Sequence, residues 1–338
     1  MNSFRIAIEE ANRIVIGFHP DADGIASMAM VTHSTKRKNF LLVAVDTPNR
    51  DFRPKDLKRI NKFKPDLILN LDYHSSNLDQ HLKLVKLAKI ITVDHHLFID
   101  GREKWPDEIF INPELEGKKS MKYSCSKIVD DLLRVTQVNW LALIGVLGDN
   151  VFNNWPEYHH FSIEDRKKAD ELSDAISYLA MAKEDNDIIN ELIALVLQAR
   201  SINDLYNNLL GGGSLTKSYE KIKKEIKLNI TQIDKLLSKN EVVFVEVKSP
   251  SKTAVIKMLS KTIGSILDDR KIVICYQIFK ERIEIRAMSE GPINCASLFE
   301  GFGGGHEKRA GGAVKKKDFN KAIGVISKRL KVGEVVFG

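Results

Sequence analysis

Cysteine is scarce in this 338-residue chain: three occur, Cys125, Cys275 and Cys295, none with a second cysteine at metal-ligand spacing. That excludes a disulfide framework and a cysteine-held zinc site, so any metal must be bound by oxygen and histidine. Long apolar runs are missing too. None exceeds six residues, as in Phe40 to Val45, against the ~20 that a membrane-spanning helix needs. No bilayer crossing is expected. The N-terminus carries Glu9 and Glu10 and has no apolar stretch with a small-residue cleavage site, so no secretory signal is read and a cytoplasmic location is expected. Aromatic residues amount to 7%. Tyr73, Trp155, Phe299 and Phe302 suit a core as well as a stacking platform. There is no internal repeat, and low complexity is confined to Lys315 to Lys317.

Apolar residues make up 43% of the chain, enough for each of two domains to bury its own core, which excludes a disordered chain. The formal net charge of +7 is unevenly spread: residues 214–338 hold 25 Lys and Arg against 14 Asp and Glu, whereas residues 1–213 hold 27 against 31. A basic half therefore follows an acidic one. The excess is either a solvated lysine-rich surface or a footprint for polyanions, and motifs must decide between them.

Arg13 to Phe18, Leu41 to Val45, Asp66 to Leu71 and Ile90 to Val93 are compact apolar runs without strict alternation, the pattern of strands buried on both faces. Helical patterns such as Ile25 to Ser34 and Leu78 to Lys89 lie between them, so the spacing predicts an α/β fold with a helix-covered parallel sheet. Ser124 to Arg134 and Trp140 to Leu147 read as further helices. Residues 161 to 238 are almost wholly helical, interrupted at Gly211 to Ser214. Beyond them, Val242 to Val247 reads as a strand, Ala254 to Leu267 as a helix, Ile272 to Ile278 with Arg282 to Met288 as a hairpin, then a glycine-rich loop and a closing helix from Asp318 to Leu330. The expected plan is a domain over 1–195, a helical connector over 196–240 and a smaller α/β domain over 241–338.

Ligands of open parallel sheets bind at the carboxyl ends of the strands. Four places qualify: His19-Pro20-Asp21-Ala22-Asp23-Gly24, then Asp72-Tyr73-His74, then Asp94-His95-His96, and finally Gly148-Asp149-Asn150 after the apolar stretch from Leu141. A lone Asp there is usually a turn former or helix cap, and Asp21 or Asp23 taken singly would be that. The matching register of all four argues otherwise. So many carboxylates at one edge repel unless cations neutralise them, which points to a metal pair. Asp with His favours Mn²⁺ over the all-oxygen cages of Mg²⁺ or Ca²⁺, with Mg²⁺ as a substitute. Two such ions would clamp a phosphodiester, so the reaction class is hydrolytic phosphoryl transfer.

These motifs, in this order, resemble the DHH phosphoesterases, a family that includes RecJ-like exonucleases, nanoRNases and cyclic-dinucleotide phosphodiesterases. Gly303 to Gly312, with His306 inside it, resembles the glycine-rich signature of the family's DHH-associated C-terminal domain, so the likeness brackets residues 19–312. By position it implies one metal on His19, Asp21 and Asp72 and another on Asp23, Asp72, His95 and Asp149. Asp94 would orient an imidazole, and His96 would face the scissile phosphate. Tyr73 and His74 depart from the family's usual small residue or glycine; His74 is expected at the surface, with a ligand or substrate contact as the alternative. Physically, the glycine-rich loop reads as a backbone nest for a phosphate, joined by Arg286, Ser289, Gly304, Gly305, His306, Lys308 and Arg309.

The resulting expectation is a Mn²⁺-dependent, RecJ-like exonuclease that releases 5′-mononucleotides from single-stranded DNA or RNA held in a cleft between the two domains. No third domain is read after Gly338, which favours a first alternative: a nanoRNase or a linear or cyclic dinucleotide phosphodiesterase. The second alternative is an accessory protein of a replication or DNA-repair complex.

Overall fold

The computed structural model describes residues 3–35, 39–45, 50–97, 101–182, 186–250, 255–263, 266–305 and 307–330. The chain divides into two compact units, Met1–Ala180 with Asp185–Thr216, and Met181–Glu184 with Lys217–Gly338.

The first unit is built on five strands: β1 (Ile14–Phe18), β2 (Phe40–Ala44), β3 (Leu67–Leu71), β4 (Lys89–Val93) and β5 (Glu108–Ile111). All four pairings are parallel, in the order β2-β1-β3-β4-β5. Every residue of β1 and β3 is buried, which is why these strands read as unbroken apolar runs. Helices Ala22–Ser34, Pro54–Phe63 and Leu78–Leu84 carry the chain between successive strands. The chain leaves β1 toward β2 on one side and returns past it to β3 on the other, so strand order reverses between β1 and β3. That switch point opens a crevice at the carboxyl ends of these two strands.

Three expectations are corrected here. β5 is absent from the expected strands, because four residues without alternation between Pro106 and Pro113 carry no periodicity. The helix expected over Leu78 to Lys89 stops at Leu84, since Lys89 already pairs with Leu67 in the sheet. The helix expected from Ile25 begins at Ala22, capped by the Asp21 side chain.

The helices Ile163–Ala182, Asn186–Gln198, Ile202–Leu210 and Ser214–Leu237 follow, and they are divided between the two units. In the second unit, β6 (Val242–Glu246), β7 (Ile272–Ile278), β8 (Arg282–Ser289), β9 (Gly303–Gly305) and β10 (Arg309–Lys315) form a mixed sheet in the order β6-β7-β8-β10-β9. Phe244, Ile274, Ile285 and Phe299 are buried there with Ile323 and Ile326 of helix Phe319–Leu330. The helix expected over Ala254 to Leu267 is described as Ile256–Ile263, and residues 254, 264 and 265 lie outside the described residues.

The glycine-rich segment is a strand pair rather than an open nest, with β9 lying antiparallel to β10. A Cβ on Gly303 would lie 2.3 Å from the Gly311 carbonyl oxygen, and one on Gly312 would lie 2.6 Å from that of Phe302. These glycines therefore let two backbones approach closely.

Candidate metal centre

The site stands at the switch point of the parallel sheet. Strand β1 ends into His19 and the helix starting at Ala22; β3 ends into Asp72; β4 ends into Asp94, His95 and His96. Asp149 caps the C-terminus of helix Asn139–Gly148. The four sequence-predicted places meet in space.

Three groups of side chains place a ligand atom each within 4.8 Å of one another: His19, Asp21 and Asp72; Asp72, His95 and His96; and Asp23, His95 and Asp149. Asp72 belongs to two groups, and so does His95. His19 Nδ1 lies 2.5 Å from Asp21 Oδ2 and 3.5 Å from Asp72 Oδ2. His95 Nε2 faces three carboxylates, at 3.1 Å from Asp149, 3.4 Å from Asp72 and 3.9 Å from Asp23.

Asp72 has a left-handed backbone, φ 63°, a conformation uncommon among non-glycine residues and entered mostly by Asp and Asn. Asp23 is buried and accepts backbone N–H bonds at both oxygens, from Cys125 (2.6 Å) and Ser126 (2.9 Å) at the start of helix Cys125–Leu133. Sequence reasoning missed this anchor. Its signal is the Ser124-Cys125-Ser126 start of a helix whose amides need an acceptor. A Cβ on Gly145 would lie 2.6 Å from Asp23 Oδ1, which is why helix Asn139–Gly148 presents a glycine there.

Asp94 is a hub. Its Oδ1 accepts from the His95 backbone N–H (2.8 Å) and meets His96 Nδ1 at 2.8 Å, while its Oδ2 meets His74 Nδ1 at 2.5 Å. His74 is buried, contrary to the surface position expected for it. The second imidazole is needed because a fully buried carboxylate must have both oxygens satisfied. Tyr73 is core as well, its hydroxyl donating to Asn70 Oδ1 at 2.6 Å. Phe299 is equally buried, so neither ring is a stacking platform.

Burial and mutual repulsion govern the charges. Burial, then the Asp21 carboxylate, pushes Asp72 up to about 6. Burial, with Asp149 and Asp72, pushes Asp23 well above the usual carboxylate range. Burial also raises the cost of ionising Asp94, but His96 and His74 hold it well below that range. His19 resists the lowering effect of burial because Asp21 and Asp72 push it up to about 10. Burial, then the Arg50 cation, brings His96 down to about 3, so its ring is neutral.

Among the described residues, Asp72 Oδ1, His95 Nδ1 and Asp149 Oδ2 are buried and make no hydrogen bond, although His95 Nε2 stands 3.4 Å from the first and 3.1 Å from the last. Buried polar atoms without partners need an explanation, and a divalent cation supplies one. An Asp/His donor set with an orphaned oxygen on the shared carboxylate fits such ions.

In the second unit, Arg286 lies in mid-β8, opposite Gly311 of β10 and Cys275 of β7. Ser289 ends β8, buried, its hydroxyl accepting from the Gly291 amide at 3.1 Å. Gly304 and Gly305 belong to β9, with open space where a Gly304 Cβ would stand. Arg309 pairs with Glu290 at 2.9 Å, and Lys308 donates to the Glu290 and Gly291 carbonyls. His306 lies outside the described residues.

Fold and site together define an open parallel α/β sheet with an Asp/His cluster at its switch point. Residues 13–145 match the DHH family, N-terminal domain, so the chain carries a DHH-family domain, as the motifs indicated. No curated protein sequence matches it. RecJ from Thermus thermophilus, solved in complex with Mn²⁺, superposes with a TM-score of 0.66 at 13% identity, over 98% of this chain and 55% of that one. This chain thus spans about half the length of that RecJ. An exonuclease RecJ bound to manganese matches with a TM-score of 0.63 at 14% identity, over 97% of this chain and 92% of that one. The DHH domain of a member of the s1p family of ribosomal proteins matches with a TM-score of 0.72 at 15% identity, over 96% and 88%. At such identities the likeness is one of fold. Among the described residues, no helix is long and apolar enough to cross a membrane.

Proposed function

We propose that this chain is a metal-dependent phosphodiesterase of the RecJ-like exonuclease type, hydrolysing single-stranded DNA or RNA to 5′-mononucleotides. The observation that carries it is the convergence at one sheet edge of four carboxylates and three imidazoles, with Asp72 common to two ligand groups and its Oδ1 orphaned. The likeness to two manganese-bound RecJ structures supports Mn²⁺ as the ion.

His19, Asp21 and Asp72 would hold one ion, and Asp23, Asp72, His95 and Asp149 the other. A pair of this kind lowers the pKa of the attacking water and offsets charge on the phosphorane-like transition state. The chain's own residues do the rest. Asp94 accepts from the Nδ1 side of His96 and so aims the opposite edge of that ring away from itself. With its single proton on Nδ1, given to Asp94, the neutral His96 ring presents Nε2 as an acceptor, which would face a water attacking the scissile phosphate. Asp23, fixed by two helix amides, keeps its carboxylate from rotating between ligand positions. In the proposed substrate domain over 241–338, Gly304 and Gly305 offer backbone to a phosphate, with Arg286, His306 and Arg309 supplying charge and Ser289 bracing the end of β8. Residues 1–195 would be the catalytic domain and 196–240 its connector.

The test is a time course with Mn²⁺ on end-labelled single-stranded DNA and RNA beside a dinucleotide. Stepwise shortening of the long strands is expected. Cleavage confined to the dinucleotide would reassign the chain to the dinucleotide phosphodiesterases, and no cleavage of any of them would refute the hydrolytic reading.

A further inference from the structure

A row of buried polar side chains crosses three neighbouring strands of the parallel sheet beneath the site. Asn70 on β3 and Thr92 on β4 are register partners, and Asn70 Nδ2 donates to Thr92 Oγ1 at 3.0 Å. The Thr92 hydroxyl donates in turn to Glu108 on β5. Glu108 receives both guanidinium ends of Arg102, whose Nε donates to the Ser75 carbonyl at 3.2 Å. The Arg102 guanidinium lies 4.0 Å from the Trp105 ring centre, and Arg102 is only 3% exposed.

A parallel sheet does not need such a row for stability. A buried ion pair rarely outweighs the desolvation of its two charges, and apolar residues of similar volume serve as well or better. What distinguishes this row is where it ends. Tyr73 bonds Asn70, His74 bonds Asp94, and Arg102 holds the Ser75 carbonyl, so residues −2, +1, +2 and +3 from Asp72 are each clamped. Between the clamps sits the left-handed backbone of Asp72. A left-handed backbone is uncommon for any residue but glycine, and here the clamps on either side hold it.

We propose that Arg102 and Glu108, acting through Thr92 and Asn70, are positioning residues that fix the backbone of Asp72 and thereby aim its carboxylate at both metals. The inference rests on the reading of Asp72 as the shared ligand. Neither residue belongs to a ligand group; they act on the turn that carries Asp72.

The decisive variant is Arg102→Met with Glu108→Leu in the full chain, which removes both charges and leaves none unpaired. Three quantities are read: denaturation midpoint without metal, Mn²⁺ affinity by electron paramagnetic resonance without substrate, and kcat and KM on a single-stranded oligonucleotide. The midpoint should hold or rise, while Mn²⁺ affinity falls about 10–100-fold, the loss typical when a partner behind a ligand is removed, and kcat falls with KM little changed. A purely structural role would lower midpoint and affinity together. Thr92→Val cuts the row without touching the ion pair and should weaken Mn²⁺ binding, whereas Thr92→Ser, which keeps the hydroxyl, should restore it. This pair decides the matter if the double variant fails to fold. Unchanged Mn²⁺ affinity in a folded double variant, or Thr92→Val behaving as Thr92→Ser, overturns the proposal. If the native chain binds Mn²⁺ and the variants weaken it while no oligonucleotide is cleaved, the positioning role stands and the substrate reading falls. A native chain that binds no Mn²⁺ overturns both.

Discussion

Replacing Gly24 by alanine tests how the first motif is built. Gly24 lies one turn into the helix that follows β1, packed back against the strand end. A Cβ there would stand 2.2 Å from the His19 carbonyl oxygen and 2.9 Å from the His19 nitrogen. Ordinary contact begins near 3.4 Å, so helix and strand end must part by about 1 Å. Both obstructing atoms are backbone, and no side-chain rotation relieves the clash. Overpacking of this kind costs about 1–3 kcal/mol, or about 2–4 °C of thermal midpoint per kcal/mol in a unit of this size. The larger effect falls on the site. His19 is on one side of the clash, Asp21 and Asp23 on the other, and metal–ligand distances tolerate only about ±0.2 Å. Chemical denaturation should register a loss of about 1–3 kcal/mol, and Mn²⁺ titration should show affinity reduced by at least about tenfold even where the variant is fully folded. A variant within about 0.5 kcal/mol of the native chain, the range of an ordinary surface change, with intact Mn²⁺ affinity would refute the close-packing account.

Asp72→Asn keeps shape and tolerates the left-handed backbone but removes the shared charge; hydrolysis should fall by about three orders of magnitude while the metal-free chain is as stable or more so at pH 8, because repulsion among buried carboxylates is relieved. Ligands bind metal deprotonated; burial and the Asp21 carboxylate hold Asp72 up to about 6, and Asp21 and Asp72 hold His19 up to about 10 against the lowering effect of burial. Mn²⁺ affinity should therefore climb through about pH 6 and go on climbing to about pH 10, with net proton release, measured calorimetrically in buffers of different ionisation enthalpy; flat affinity would remove these two groups from the ligand set. Lys315, Lys316 and Lys317 are exposed, so changing all three to glutamine should flatten the log–log salt dependence of long-strand binding by about 2, at ~0.7 per phosphate contact, and leave dinucleotide turnover alone. Lys308→Gln should instead cost stability, because its ammonium caps the Glu290 and Gly291 carbonyls.

The sequence by itself determined the parallel sheet, because strands buried on both faces cannot avoid unbroken apolar runs, and it determined the candidate ligand set, because four acidic strand or helix ends in one chain have no cheaper use. Local pattern also yielded the hairpin of β7 and β8, where alternation and turn coincide. Tertiary structure alone decided the rest. Four residues of β5 gain strand structure only by pairing with β4, so nothing local marks them. The Gly303 to Gly312 segment reads as a loop until its glycines are seen admitting neighbouring backbone. His74 reads as a surface residue until Asp94, 20 positions away, is found to need a second donor. Nothing in the sequence around Arg102 and Glu108 marks them, because partners that give each its meaning, the Ser75 carbonyl and the Thr92 hydroxyl, come from other parts of the chain. Covalent order fixes which groups a chain can offer; which of them lose water and must find partners is settled only when distant strands close over them.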